Sequence, residues 1–160
     1  MRTSANHPTS VIVAFASQWL SQLPLSYLTS SGLGTMGVAI PIAIAAKLVR
    51  PQQPVVALTG DGGFLMRVSE LETARRENVP IVIVIFNDGY LNLIKMKQER
   101  QGYAVLGSRF APVDYARVSE GFGFRAACVE TEAAMREALA QAVTSGEPWV
   151  IDARIDPEGY

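Results

Sequence analysis

One stretch of the chain, residues 60–89, limits the possible folds more than any other. A short apolar run precedes each end of it, residues 55–58 before the first end and residues 81–86 before the second. Short β-branched runs without polar alternation predict strands that are buried on both faces, as in a parallel sheet. Between the runs, a Ser-x-x-Glu capping box beginning at Ser69 predicts a helix that ends near Asn78. The stretch is therefore predicted to form a strand–turn–helix–strand unit.

A polar side chain follows each of the two predicted strands, Asp61 after the first and Asn87 after the second. A right-handed crossover brings both to the carboxyl edge of the sheet, where open α/β sheets bind ligands. Carboxylate and amide oxygens, with the backbone carbonyl of Gly89, are the hard ligands that Mg²⁺ prefers. The N–H groups of Gly62 and Gly63 are expected to be exposed to an anion at the start of the helical segment. A divalent metal with a diphosphate is the expected occupant.

Each turn of this unit also has a simpler interpretation. The tripeptides Gly-Asp-Gly and Asn-Asp-Gly are common in tight turns that bind nothing. Either one alone would be interpreted as a turn. Because both occur here, each after a buried strand within one crossover unit, the pair favours a binding site.

The same two turns resemble a motif of a known family. Gly-Asp-Gly at residues 60–62, separated by 24 residues from Asn87, resembles the thiamine-diphosphate-binding motif of the acetolactate synthase, pyruvate decarboxylase and benzaldehyde lyase group. Residues 28–37 are also similar to that group, and most similar to acetolactate synthases. The resemblance extends roughly over residues 27–155. It implies a domain that binds thiamine diphosphate and Mg²⁺.

The resemblance also implies roles for individual residues. Mg²⁺ would be held by Asp61, Asn87 and the Gly89 carbonyl. The Gly34 backbone would hydrogen-bond the aminopyrimidine, and Met36 would support the cofactor in its bent conformation. The implied cofactor-binding residues are Gly34, Thr35, Met36, Gly60, Asp61, Gly62, Gly63, Asn87, Gly89, Tyr90 and Leu91. No catalytic residue is expected in this chain, because the family's activating glutamate lies on a separate pyrimidine-binding domain.

Residues 32–37 also match Gly-x-Gly-x-x-Gly, the pattern of NAD-binding Rossmann domains. That fingerprint needs a strong strand just before it and an acidic residue about 20 positions after it. Residues 25–29 are a weak strand candidate and the next acidic residue is Asp61, so the dinucleotide site is the less favoured alternative. The helix that follows, up to Val49, is apolar on nearly every side and is expected to be buried between the sheet and a neighbouring domain.

The second half of the chain continues the alternation of helices and strands. We predict a helix over residues 90–101 and a loop, a candidate lid, over residues 101–111. The remaining predictions are a helix over residues 115–120 capped by Asp114, a strand over residues 125–129, a helix over residues 132–144 between Thr131 and Gly146, and a strand over residues 149–155. With a first strand predicted over residues 11–15, this order predicts a doubly wound, mostly parallel α/β sheet with helices on both faces.

Four further polar residues have a candidate role. In acetolactate synthases, the stretch that corresponds to residues 90–101 lines the substrate channel and often has Trp where Lys97 stands here. The substrate specificity of acetolactate synthases is therefore not assigned. Lys95 and Lys97 are interpreted as a solvated basic face, with a substrate contact as the less favoured alternative. Ser17 and Gln18 are candidates for diphosphate contacts by their position alone.

The length of 160 residues predicts a single domain over residues 1–160, with a flexible tail over residues 1–10. A formal charge of −1 gives no basic surface for nucleic acid. His7 is the only histidine, which argues against a histidine-based triad or zinc site. Cys128 is the only cysteine and is expected to be a small buried thiol in a strand. Because the apolar stretches are too short for a bilayer and no secretion pattern begins the chain, we expect a cytoplasmic location.

These inferences lead to one functional expectation. We expect the diphosphate-binding domain or subunit of a 2-oxo-acid decarboxylase or carboligase similar to acetolactate synthase. Its partner would be a pyrimidine-binding domain or subunit, in the same longer chain or in a separate one, and the assembly would be at least a dimer. Its substrate would be a small 2-oxo acid, and neither nucleic acid nor membrane is expected as a partner. Two other classes stay open, a thiamine-diphosphate-binding module without turnover and a structural module whose turns bind nothing.

Overall fold

The computed structural model of the chain describes residue 24, residues 26–29 and residues 33–157. Its helices are α1 (Ala39–Val49), α2 (Asp61–Met66), α3 (Glu70–Arg76), α4 (Asn92–Arg100), α5 (Tyr115–Gly121) and α6 (Glu132–Ser145). Its strands are β1 (Val56–Gly60), β2 (Val82–Asn87), β3 (Arg125–Val129) and β4 (Trp149–Arg154). The predictions for residues 1–23, among them the first strand, the tail, His7, Ser17 and Gln18, lie outside the described residues.

The four described strands form one sheet in the order β1-β2-β4-β3, and every pairing is parallel. The two central strands consist mainly of buried residues, because helices cover both faces of the sheet. The predicted doubly wound parallel fold is therefore confirmed. Within the described residues, no helix has both the length and the apolar character needed to cross a membrane.

Two apolar clusters cover opposite faces of the sheet. The first cluster joins side chains of α1, α2, α3 and α5 to Ile83, Ile85 and Val150. The second cluster joins α6 to the alternate residues of the same strands, such as Ile151. In the first cluster, the ring of Phe64 meets the ring of Tyr115 edge-on, with centroids 5.6 Å apart. Phe64 belongs to α2, the helix that follows the carboxyl end of β1 directly.

The predicted helix caps in the second half of the chain are confirmed. The Asp114 side chain accepts a hydrogen bond from the Arg117 N–H at 3.0 Å, and α5 follows it. The Thr131 side chain accepts from the Ala134 N–H at 3.2 Å, and α6 follows it. Because Gly146 has the left-handed conformation that ends a helix, α6 terminates where the sequence indicates.

The predicted capping box at Ser69 is wrong, although α3 begins there. Ser69 has helical backbone angles, and its side chain makes no capping hydrogen bond. The chain turns helically from α2 into α3, so that the Leu71 N–H bonds to the Val68 carbonyl and the Glu72 N–H to the Ser69 carbonyl. Backbone carbonyls have taken the N–H groups that the side chain would otherwise satisfy.

Two burial predictions are wrong or incomplete. Cys128 lies in the predicted strand, but it is exposed because β3 is the last strand at its edge of the described sheet. Helix α1 buries one face, which contains Ile40 and Ala43, whereas Leu48 is 58% exposed and Val49 is 79% exposed. Burial of that outer face against a neighbouring domain stays a prediction.

Candidate functional site

Asp61 is the centre of the candidate site. It is the first residue of α2, follows β1 directly and is only 3% exposed. Its Oδ1 accepts a hydrogen bond from the Gly62 N–H at 2.7 Å, and its Oδ2 accepts one from the Gly89 N–H at 2.8 Å. These two bonds fix the orientation of the carboxylate. Since each carboxylate oxygen has more than one lone pair, both retain capacity for a cation.

Asn87 lies beside Asp61 because of the strand register. Gly60 pairs with Phe86 in the parallel ladder, so the next residue of each strand reaches the same edge of the sheet. The Asn87 Nδ2 donates a hydrogen bond to Oδ1 of Asp152 in β4, at 2.9 Å. The sequence prediction that Asp61 and Asn87 come together at the carboxyl edge is therefore confirmed.

Gly89 lies in a turn between β2 and α4, and this turn contacts both Asp61 and the loop that follows α4. It has a φ of 75°, which favours glycine, and its N–H bonds to Asp61. Its carbonyl accepts a hydrogen bond from the Phe110 N–H at 2.9 Å and keeps a second lone pair. In the same turn, the Asp88 side chain accepts from the Tyr90 N–H at 2.9 Å.

The charges around Asp61 are mainly negative. Burial is the largest cause that raises the pKa of Asp61 from 3.8 to about 6, and the nearby Asp88 and Asp152 raise it further. The N–H groups of Gly62 and Gly89 act in the opposite direction. Burial also raises the pKa of Asp152, and the hydrogen bond from Asn87 opposes that shift. A bound cation would offset the cost of keeping these carboxylates ionised.

The available donors fit Mg²⁺ better than a softer metal. Among the described residues, no group of three histidine, cysteine, aspartate or glutamate side chains is arranged to hold a metal ion. The donors at the carboxyl edge are instead one carboxylate from Asp61, one amide oxygen from Asn87 and one carbonyl from Gly89. Mg²⁺ binds through few protein oxygens and completes its shell with water and phosphate.

Gly62 is needed for close packing at the site. A methyl group on Gly62 would lie 2.9 Å from Cδ2 of Leu91 and 3.2 Å from both Cε of Met36 and Cζ of Phe110. Three apolar side chains therefore converge over the first turn of α2. This packing corrects the expectation of an exposed N–H at Gly62, because Gly62 is buried and its N–H is donated to Asp61.

Gly63 and Gly37 bring the preceding loop against α2. A methyl group on Gly63 would lie 2.6 Å from Oγ1 of Thr59, and one on Gly37 would lie 3.3 Å from the Gly63 carbonyl oxygen. Gly63 is also buried, contrary to the expectation that its N–H is exposed. Gly34 and Thr35 are exposed in the same loop. Within the described part of the chain, no hydrogen bond joins these two to the Asp61 cluster, by which we mean Asp61, Asn87 and Gly89.

The interpretation of Lys95 as solvated is wrong. Lys95 is 7% exposed, lies 5.6 Å above the centre of the Tyr90 ring and forms an ion pair with Glu99 at 3.2 Å. Lys97 is exposed, as predicted. The apolar Leu93 and Ile94 of the same helix are nearly half exposed. The face of α4 that is buried is therefore partly polar.

Two residues near the site were missed from the sequence. Phe110 contacts both the Gly62 region and the Gly89 carbonyl, but a single aromatic residue in a loop carries no signal of such a role. Asp152 had a usable signal, because it is an acidic residue between the apolar Ile151 and Ala153 in a run that is predicted as a strand. Such a residue is a candidate for a buried polar contact.

The loop that follows α4 is hydrogen-bonded to residues next to the site. The Leu91 N–H donates to the Ser108 carbonyl at 2.7 Å, and Tyr90 forms an isolated antiparallel bridge with Arg109. The predicted loop over residues 101–111 is confirmed as a loop, whereas its role as a lid stays a prediction. Its second half is attached to the turn that supplies Gly89.

The chain is similar to known proteins of one family. Residues 10–153 match the family described as thiamine pyrophosphate enzyme, C-terminal TPP binding domain. The chain is 39% identical over 142 residues to a probable acetolactate synthase large subunit from Methanococcus aeolicus, covering 86% of this chain and 23% of that protein. It is 35% identical over 143 residues to an acetolactate synthase from Bacillus subtilis, covering 86% of this chain and 25% of that protein.

A solved structure shares the fold. The thiamine diphosphate-dependent 4-hydroxybenzoylformate decarboxylase from Rhodococcus jostii RHA1 superimposes with a TM-score of 0.72 at 27% identity, over 77% of this chain and 24% of that chain. The chain therefore spans about a quarter of the length of these relatives. It belongs to the thiamine pyrophosphate enzyme family and corresponds to its C-terminal cofactor-binding domain.

Proposed function

We propose that this chain binds thiamine diphosphate with Mg²⁺ at the carboxyl edge of its sheet, as the diphosphate-binding part of a 2-oxo-acid decarboxylase or carboligase. The observation that carries the proposal is the buried Asp61 carboxylate, which accepts two backbone N–H bonds beside Asn87. Relatives named as acetolactate synthases, and a structural neighbour named as a decarboxylase, support this reaction class.

Three residues would hold Mg²⁺, namely Asp61 through its carboxylate, Asn87 through Oδ1 and Gly89 through its backbone carbonyl. All three donors are hard oxygens, and their small number leaves room for diphosphate oxygens and water. The carboxylates of Asp88 and Asp152 add negative charge nearby. Metal binding is therefore favoured electrostatically, and it would neutralise the region that the diphosphate enters.

The remaining implied residues would bind and orient the cofactor. Met36, Leu91 and Phe110 pack together over Gly62, and this apolar cover would exclude water from the diphosphate side. The backbone of the exposed Gly34 is available to the aminopyrimidine. When bound, thiamine diphosphate supplies the carbanion chemistry that cleaves or forms a bond next to a carbonyl.

The proposed activity requires a partner. The activating glutamate would come from a pyrimidine-binding domain or subunit, so this chain alone would bind the cofactor without turnover. The exposed apolar outer face of α1, with Leu48 and Val49, is available to such a domain. The substrate would be a small 2-oxo acid.

Calorimetric titration of the full chain with thiamine diphosphate, with and without Mg²⁺, tests the proposal. A pyrimidine-binding partner is added in parallel runs. We expect binding that depends on Mg²⁺ and that is lost in Asp61→Ala, because the carboxylate is the one charged ligand proposed. Glu147→Ala is the matched control, since it removes an exposed carboxylate at the opposite edge of the sheet.

Two results would contradict the proposal. One is affinity for thiamine diphosphate that is the same in wild type and Asp61→Ala. The other is binding of NAD in place of thiamine diphosphate, which would favour the dinucleotide-binding interpretation of the Gly-x-Gly-x-x-Gly sequence at residues 32–37. Failure to bind either ligand with the partner present would favour a structural module.

A further inference from the structure

Asp152 is a charged side chain in an unusual place. It is 1% exposed in β4, which lies between β2 and β3, and the residues on either side of it are the buried Ile151 and Ala153. A carboxylate buried in the middle of a sheet is costly unless a hydrogen bond or a nearby charge compensates it. The next charged residue, Arg154, is exposed and pairs with Glu130 at 3.3 Å. Asp152 therefore does not belong to the ion pair at the surface.

Its contact is instead with Asn87. The register pairs Ile85 with Asp152 and Asn87 with Arg154, so Asn87 lies diagonally from Asp152 across β2 and β4. The Asn87 Nδ2 donates to Oδ1 of Asp152 at 2.9 Å. Within the described residues, this is the side-chain hydrogen bond that Asp152 makes, and Oδ1 of Asn87 receives none. One end of the amide is held and the other is free.

That asymmetry matters because the two ends of an amide differ chemically. Its NH₂ group donates hydrogen bonds, and only its oxygen is a ligand for a hard cation. We infer that Asp152 is a positioning residue for Asn87, holding Nδ2 so that Oδ1 is presented at the metal position. This inference rests on the proposed function. Asp61 is oriented in a comparable way by the N–H groups of Gly62 and Gly89.

The expected size of the effect follows from other metal sites. Partners that orient a metal ligand through a hydrogen bond typically change metal affinity by about 10-fold to 100-fold when they are removed. Asp152→Ala removes the acceptor for the Asn87 amide. Asp152→Asn removes the charge but keeps an acceptor oxygen at the same position. The two variants therefore separate orientation from charge.

Mn²⁺ binding in the presence of thiamine diphosphate provides the readout. We would measure it by electron paramagnetic resonance on the full chain, with its pyrimidine-binding partner present. We expect Asp152→Ala to weaken Mn²⁺ binding about 10-fold to 100-fold, while Asp152→Asn retains most of the affinity. In the metal-free chain, the side-chain amide protons of Asn87 should lose protection from exchange in Asp152→Ala, which NMR detects without any ligand.

Asp88→Asn is the charge control. It removes a carboxylate near Asp61 that is not a partner in the hydrogen bond between Asn87 and Asp152. Equal loss of Mn²⁺ affinity in Asp152→Asn and Asp152→Ala would overturn the orientation role, as would wild-type affinity in Asp152→Ala. Wild-type affinity in Asp61→Ala would instead overturn the proposed metal site itself. Melting temperatures of the metal-free variants show whether a loss of Mn²⁺ affinity results from unfolding of the variant.

Discussion

The two edges of this sheet are built in different ways. At the amino edge, the helices that precede β2, β3 and β4 end in residues with positive φ, namely Asn78, Gly123 and Gly146. The charged residues there, such as Arg125 and Glu147, are exposed and paired with each other. At the carboxyl edge, a carboxylate is buried and held by backbone N–H groups.

The comparison separates two kinds of constraint. Residues of the amino edge satisfy local backbone requirements, such as ending a helix, at little electrostatic cost. Residues around Asp61 make contacts between elements that are distant in sequence. Burial disfavours the negative charge on the Asp61 carboxylate. In the absence of a cation, the buried Asp61 carboxylate therefore lowers the stability of the carboxyl edge. Such a local cost is typical of a binding site.

The largest expected difference concerns pH. Because the pKa of Asp61 is raised from 3.8 to about 6 in the folded chain, its contribution to stability is fully present below about pH 4 and is lost as the pH rises through 6. In the metal-free chain we expect a loss of about 3 kcal/mol from this group. Urea unfolding at pH 4 and pH 7 measures this loss of unfolding free energy. We expect Asp61→Asn to remove the part of the pH dependence that comes from Asp61.

The matched change at the amino edge is Glu147→Gln. Its exposed carboxylate pairs with Arg125, so we expect the difference between pH 4 and pH 7 to change by less than about 1 kcal/mol. An equal change of this pH dependence in Asp61→Asn and Glu147→Gln would contradict the electrostatic distinction between the two edges.

Two helical glycines give the next largest contrast. A methyl group on Gly63 would lie 2.6 Å from Oγ1 of Thr59, whereas one on Gly121, at the end of α5, meets nothing within 4 Å. We expect Gly63→Ala to destabilise the chain by about 1–3 kcal/mol through overpacking. Gly121→Ala should be neutral or stabilise it by up to about 1 kcal/mol. Thermal unfolding distinguishes them, and similar melting temperatures would argue against tight packing at Gly63.

The smallest expected effect concerns a residue of the carboxyl edge that lies outside the proposed metal site. Thr131 follows β3 at this edge but serves as a helix cap. We expect Thr131→Ala to cost about 1 kcal/mol in unfolding free energy and to leave the affinity for thiamine diphosphate unchanged. Ser69→Ala, at a helix start without a side-chain cap, should cost less than about 0.5 kcal/mol. A lower cofactor affinity in Thr131→Ala would extend the binding site beyond the Asp61 cluster.

Elements with local signals could be predicted from the sequence. Helix α6 has its cap at Thr131 and its end at Gly146 within the residues that flank it. The Asp61 and Asn87 positions follow from two strands and one crossover. In each case the information lies within a short stretch, so periodicity and turn residues are sufficient.

Several failed predictions depend on side-chain packing and strand order, which motifs and periodicity do not specify. Lys95 is buried because it packs on Tyr90 and pairs with Glu99, which a count of basic residues does not reveal. Cys128 is exposed because β3 is at an edge, and strand order is not encoded locally. Similarly, the bond between Asn87 and Asp152 joins residues 65 positions apart.

An anomalous difference map from crystals grown with Mn²⁺ and thiamine diphosphate would locate the proposed metal site. We expect one strong peak coordinated by the Asp61 carboxylate, Oδ1 of Asn87 and the Gly89 carbonyl, with diphosphate oxygens completing the shell. Cofactor density at the carboxyl edge without a peak at these three ligands would contradict the proposed metal site. Cofactor or metal density at the amino edge would contradict the distinction between the two edges of the sheet.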